Sequence, residues 1–278
     1  MSFRRVLAAT ALVSTVSLAG CAETDSIEDL EEPPVVPMSG GGSQSGGNNG
    51  GSSDDLQTLE AALVQATNVP LLKPGTNKPH LGIALNLLPQ PGGPGIFSYA
   101  VQCGLRAQPG LEYVQWSGMT FPAKGHLRST DNWQTGPLDA TGRNDLFACM
   151  AALMNPFGAH VDVLFTGARV RDDGLPHPDF DLKEAGWAAQ VIGGTVYYTV
   201  WPTEEFIQNC DGDPASVFET RVCGNLPDDC NFVPGGVFET DCQPLSSGGY
   251  ACEGQTVLVT YLRSSDFLTL NPACESGP

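Results

Sequence analysis

Arg143-Asn-Asp-Leu146-Phe-Ala-Cys149-Met150-Ala-Ala-Leu153-Met154-Asn155-Pro156-Phe-Gly158-Ala-His160-Val161-Asp162-Val163-Leu164-Phe165 changes its hydrophobic period partway along. Up to Met154 the apolar residues Leu146, Cys149, Met150, Leu153 and Met154 share one helical face, and Asn155-Pro156 followed by Gly158 stops the helix. Beyond it, residues 160–170 alternate, with Val161, Val163 and Phe165 facing one way and His160, Asp162 and Leu164 the other, as in a strand. The rest of the chain is punctuated by 33 Gly and 22 Pro, too many for a mostly helical protein, while 41% hydrophobic and 16% charged residues exclude a wholly disordered one. The expected class is α+β: a strand-rich, disulfide-bonded domain with one main buried helix and a Cys-rich loop region.

Working outward, residues 80–88, 96–103 and 111–121 are short apolar segments bounded by Pro-Gly clusters such as Pro89-Gln90-Pro91-Gly92-Gly93-Pro94, and they read as strands. Residues 195–201 and 256–262, rich in β-branched and aromatic side chains, read as further strands. A short helix bearing Leu56, Leu59 and Leu63 opens the domain, capped by Asp54 or Asp55 and ended by Asn68 and Pro70.

The last third carries a repeat. Cys210-Asp-Gly-Asp-Pro214-Ala-Ser-Val217-Phe218-Glu219-Thr220-Arg-Val-Cys223 recurs as Cys230-Asn-Phe-Val-Pro234-Gly-Gly-Val237-Phe238-Glu239-Thr240-Asp-Cys242. Two similar disulfide-stapled loops decorating the main domain are the expectation, since two units are too few for a solenoid.

Ahead of the domain stand Ser2-Phe3-Arg4-Arg5, an apolar run to Ala19, and then Leu18-Ala19-Gly20-Cys21. The run is shorter than the ~20 residues of a typical membrane span. This segment resembles the lipobox of bacterial lipoproteins. The resemblance implies a signal peptide over residues 1–20, cleavage before Cys21, and acylation of Cys21 on its sulfur and new amine, which anchors the protein to a membrane. Ala22 stands where an inner-membrane retention signal has Asp, so the resemblance implies the outer membrane or cell surface. An ordinary secretory signal with an incidental Cys21 is the competing reading. Residues 21–55 then form an acidic and later Gly/Ser-rich tether with too little apolar surface to fold, reaching roughly 30 Å as a flexible chain. The exported domain is expected to cover residues 56–278, with the Cys-rich duplication at 210–242.

Besides Cys21 there are eight cysteines, an even set that in an exported protein reads as four disulfides: Cys103, Cys149, Cys210, Cys223, Cys230, Cys242, Cys252 and Cys274. Zinc is disfavoured, because no two lie within the usual ligand spacing. Cys103 and Cys149 stand 61 residues ahead of the rest and are expected to pair. For the remainder the simplest scheme is Cys210 with Cys223, Cys230 with Cys242 and Cys252 with Cys274, exchange between the repeats being the alternative.

The chain also resembles a family of exported, Cys-rich bacterial proteins. The resemblance rests on Tyr99-Ala-Val-Gln-Cys103, on Asp145 through Gly158 to His160-Val-Asp-Val, on Glu184-Ala-Gly-Trp187, on the Cys-rich loops and on Val257-Leu-Val-Thr-Tyr261-Leu. It covers residues 96–263 and implies one disulfide-bonded domain; it brings no activity, ligand or catalytic residue with it.

Signatures of known chemistry are missing: there is no G-x-S-x-G, no H-E-x-x-H, no P-loop and no dinucleotide fingerprint. His160 with Asp162, and His177 with Asp179 and Asp181, have the residue types of a metal site or an acid/base pair. Solvated loop charges are the plainer reading of both. Asn209, Asp211 and Asp213 alternate oxygen ligands as calcium loops do, without the Gly and Glu an EF-hand needs. Trp116, Trp133, Trp187 and Trp201 offer stacking surfaces for sugar rings, although tryptophan is more often core. The net charge of −18 becomes −12 over residues 56–278, which carry 23 acids and 11 bases, and it argues against nucleic acid as a partner. No cofactor is implied. The expectation is a lipid-anchored extracytoplasmic lipoprotein whose domain binds a protein, a glycan or a cation without catalysis, the alternative being a hydrolase using the His/Asp cluster.

Overall fold

The computed structural model describes residues 53–155, 161–171, 178–224 and 230–275. The segment read as a signal peptide, Cys21 and the part before Ser53 of the segment read as a tether lie outside them, as do His160 and His177.

Among the described residues, eight α-helices and nine strands follow one another as α1 (Ser53–Ala66), α2 (Leu81–Asn86), α3 (Gly93–Gly104), β1 (Tyr113–Trp116), β2 (Met119–Pro122), α4 (Ala140–Leu153), β3 (Leu164–Thr166), β4 (Leu182–Ile192), β5 (Thr195–Pro202), α5 (Glu204–Asn209), α6 (Pro214–Cys223), β6 (Asn231–Pro234), α7 (Phe238–Asp241), β7 (Cys242–Pro244), β8 (Tyr250–Cys252), β9 (Gln255–Leu262) and α8 (Phe267–Leu270). The class is α+β, as the change of period at Met154 indicates. Asp139 caps α4 by accepting from the Gly142 N–H at 2.7 Å.

The main sheet runs β6-β5-β4-β9-β8-β7, with β3 beside β9 next to β8. Its pairs are antiparallel except β5 with β6. Strand β4 lies at the centre, buried on both faces. Ala185, Trp187 and Ala189 face the larger core with helices α1, α3, α4 and α6, whereas Ala188 belongs to a smaller core with Trp201, Phe238, Cys242, Cys252, Val257 and Val259. A strand covered on both sides shows no apolar/polar alternation, so its sequence gives a weak strand signal. At Gly186 a Cβ would sit 2.8 Å from the Phe238 ring, so only glycine lets the smaller core close on the sheet.

Two segments read as strands are helices. Residues 81–86 and 93–104 form α2 and α3, and nine of the twelve residues of α3 are buried. An all-round buried helix has the same uniform apolarity as a buried strand, and Gly92-Gly93-Pro94 marks its N-terminus rather than a turn between strands. Pro94 occupies the first turn, where its missing N–H costs nothing. The segment 111–121 is a hairpin, folded at Ser117-Gly118 with Trp116 opposite Met119. Of the alternating stretch 160–170, Leu164–Thr166 pairs as a strand, and Val170 forms an isolated bridge to Leu127.

Cys103 and Cys149 are bonded, as their isolation in the sequence suggests, fastening α3 to α4 with Cα atoms 6.0 Å apart. The remaining pairs are Cys210–Cys274, Cys223–Cys230 and Cys242–Cys252. The scheme internal to each repeat is therefore wrong, and so is the picture of two stapled loops. Between Cys210 and Cys223 the chain forms the ten-residue helix α6, about 15 Å long at 1.5 Å per residue, in place of a loop closed on itself, and each cysteine bonds elsewhere. Instead, the end of the first copy is tied to the start of the second.

A buried polar network crosses the larger core. Arg221 on α6 pairs with Glu184 on β4 and donates to the backbone carbonyls of Ala152 and, at 3.3 Å, Met154. These carbonyls close the last turn of α4, where no helical N–H remains to reach them. The second Glu184 oxygen accepts from Thr260 Oγ1 at 2.8 Å, which itself accepts from Trp187 Nε1 at 2.8 Å.

Candidate functional site

Between residues 71 and 80 the chain doubles back on itself. Leu72 bridges Pro79, the Lys73 N–H donates to the Lys78 carbonyl at 2.9 Å, and the His80 N–H donates to the Leu71 carbonyl at 2.8 Å. Inside the turn, Thr76 Oγ1 donates to the Lys73 carbonyl and accepts from the Lys78 N–H. Gly75 supplies the left-handed residue this turn requires, at φ 71°. The pinned turn carries Lys73 and Lys78 on exposed positions.

The hairpin β1–β2 stands beside it. Val114 and Phe121 root the hairpin in the core, with Phe121 edge-on to Phe97 of α3 at 5.0 Å. The Gln115 N–H donates to the Asn77 carbonyl at 2.8 Å, locking the hairpin to the lysine turn. At its tip Ser117 and Gly118 both have positive φ, 48° and 82°, the pattern of a two-residue hairpin turn. Serine bears this conformation at a cost that glycine or asparagine largely avoids.

Turn, hairpin and the start of α2 enclose an open groove of about 690 Å³, within the range of ligand sites. Lys73, Lys78 and His80 supply cations or N–H donors; Gln115, Ser117 and Thr120 supply amide and hydroxyl groups; Trp116, Met119 and Leu81 supply apolar surface. Among the described residues, no carboxylate lines it. His80 Nδ1 accepts from the Gly82 N–H at 3.2 Å, which leaves Nε2–H as the donor of the neutral ring. Two of the chain's four lysines meet here, and neither is in an ion pair among the described residues.

Trp133, Trp187 and Trp201 are core residues at 0–1% exposure, so of the four tryptophans only the partly exposed Trp116 offers a ring to a ligand. The signal for this groove was present as Ser117-Gly118, a turn dipeptide inside an apolar run, and as two lysines flanking Pro74-Gly75.

The acidic candidates are used differently. Asp162 pairs with Arg263 at 3.0 Å, and Asp181 accepts from the Ser264 N–H at 2.8 Å, which holds its carboxyl below the usual range. Both therefore secure the turn after β9, while Asp179 is exposed. Asp162 also lines a recess of about 230 Å³ with His126, whose burial, aided by Lys124, lowers its pKa to about 4 and keeps the ring neutral. The hydrolase alternative needs a histidine and two carboxylates in one recess, and this one holds a single carboxylate among the described residues. Of the calcium candidates, Asp213 caps α6 through the Ser216 N–H, and Asn209 turns its amide N–H to the Glu205 carbonyl. Among the described residues no three His, Cys, Asp or Glu side chains are placed to hold a metal ion, and no helix is long and apolar enough to cross a membrane.

Comparison with protein-family models, with curated proteins and with solved structures finds no match to the chain.

Proposed function

We propose that the protein is a lipid-anchored extracytoplasmic binding module, held at the outer membrane or cell surface through Cys21, with the groove between the lysine turn and the β1–β2 hairpin as its recognition surface. The observation that carries the reading is the groove itself: a preformed surface with two lysines, a tryptophan and, among the described residues, no carboxylate, on a strongly acidic chain. Four disulfides in one domain support the exported compartment. Groups for recognition are assembled there without a paired nucleophile and base.

Trp116 provides the readout. Because the other three tryptophans are buried, a ligand entering the groove changes the solvent-sensitive part of the emission. Titrating the soluble Cys21→Ser chain with solubilised cell-envelope fractions should give a saturable change that is lost in Lys73→Gln/Lys78→Gln. An emission that responds to no fraction, or responds equally in the lysine variant, overturns the assignment of the groove. Anchoring is tested separately: the parent chain should partition with membranes and the Cys21→Ser chain should not.

A further inference from the structure

We infer that the groove recognises an acidic saccharide, a sugar chain bearing carboxylate or sulfate groups; this rests on the binding-module reading and names its ligand class. Three features of the lining point the same way. The first is charge. Over residues 56–278 acids outnumber bases by 23 to 11, so polyanions are repelled from most of the surface, yet Lys73 and Lys78 are held on one turn by the Lys73–Lys78 backbone hydrogen bond and face no lining carboxylate. Both are lysines, point charges on flexible stems that follow an anionic group without the bidentate geometry arginine imposes.

The second feature is the ring. Trp116 lies at the hairpin tip opposite Met119, which is 36% exposed. An indole offers a flat apolar face with a polar edge, which suits the C–H face of a pyranose. The third is the polar remainder: Gln115, Ser117 and Thr120 provide amide and hydroxyl groups that can both donate and accept, matching sugar hydroxyls. An acidic peptide such as polyglutamate would satisfy the lysines and the polar groups but offers no pyranose C–H face to Trp116.

The test uses the soluble Cys21→Ser chain and four probes: an oligogalacturonate for carboxylates, a heparin-derived oligosaccharide for sulfates, maltohexaose as the uncharged sugar and polyglutamate as the acidic peptide. Calorimetry and Trp116 emission should show binding to one or both acidic saccharides. Maltohexaose and polyglutamate should bind roughly tenfold or more weakly. Binding should weaken as salt is raised toward ~0.5 M, since exposed charges are screened. Lys73→Gln/Lys78→Gln and Trp116→Leu should each lose roughly tenfold, the latter followed by calorimetry alone, with unchanged circular dichroism. Polyglutamate binding as tightly as the saccharides would overturn the sugar in favour of a peptide, and maltohexaose binding as tightly would overturn the role of charge. Silence with all four probes would overturn the ligand class. If envelope fractions still give their saturable response, the binding-module reading survives that failure; if they too are silent, both fall.

Discussion

The Cys-rich third and the segment from Leu71 to Pro122 differ in how loudly they speak in the sequence and in what they do. The first holds six of the eight cysteines outside the amino-terminal segment, and a repeated V-F-E-T motif. It is given over to the interior: Phe218 stacks 4.5 Å from Phe206 and edge-on to Trp187 at 5.2 Å, and Phe238 packs on the other side of β4, 4.9 Å from Tyr250. The second has one cysteine and no repeat, and it builds the groove. Dense sequence patterning here marks cores and covalent staples, whereas the proposed recognition surface is a turn and a hairpin with ordinary residues. The two halves should accordingly separate in experiment, stability failing in one and binding in the other.

The largest effect is expected from Arg221. Arg221→Met leaves Glu184 buried without its cationic partner and the Ala152 and Met154 carbonyls at the end of α4 without a donor, which should destabilise by about 3–5 kcal/mol in urea denaturation with disulfides intact. Adding Glu184→Leu should recover much of it. A single variant within about 1 kcal/mol of the parent would show that the network is not what joins α6 to the sheet.

Next comes a contact outside both regions, where Tyr198 of β5 donates to Glu60 of α1 at 2.8 Å. Burial raises the Glu60 carboxyl from 4.5 to about 7, although the Tyr198 hydrogen bond works to lower it. The folded state therefore holds a proton that the unfolded chain releases, and stability contributed by the neutral acid is lost as pH rises from about 4.5 through 7. Glu60→Gln removes this loss. Its advantage over the parent should be near zero at pH 4 and approach about 3 kcal/mol at pH 8. An advantage that does not grow with pH would contradict a buried, neutral Glu60. The smallest effect belongs to the groove half: Ser117→Asn suits a left-handed residue and should raise stability by only ~0.5 kcal/mol, read as a rise in Tm of about 1–2 °C.

The sequence carried the helix at 140–153, the strands at 195–202 and 255–262, and the Cys103–Cys149 bridge, because each has a period or an isolation that local physics reads directly. It concealed β4, whose Ala185-Gly-Trp187-Ala-Ala189 is buried on both faces and loses alternation. The repeat misled for a related reason. Matching residues do not prescribe matching structure: Asp213-Pro214 starts a ten-residue helix, while Val233-Pro234 ends strand β6 beside β5. Pairing cysteines by copy followed the likeness and missed the helix that separates Cys210 from Cys223. Lys73 and Lys78 offered only the turn signal of Pro74-Gly75 between them; the groove they line depends on the hairpin that lies beside them.

The most direct measurement follows oligogalacturonate binding and unfolding on the same two chains, Arg221→Met and Lys73→Gln/Lys78→Gln, at a temperature where both are folded. The Arg221 variant should unfold at markedly lower urea yet bind as the parent does, and the lysine variant should unfold as the parent does yet bind roughly tenfold more weakly. The reverse, with binding lost in folded Arg221→Met and kept in the lysine variant, would place recognition in the Cys-rich third and contradict the division of labour between the two regions.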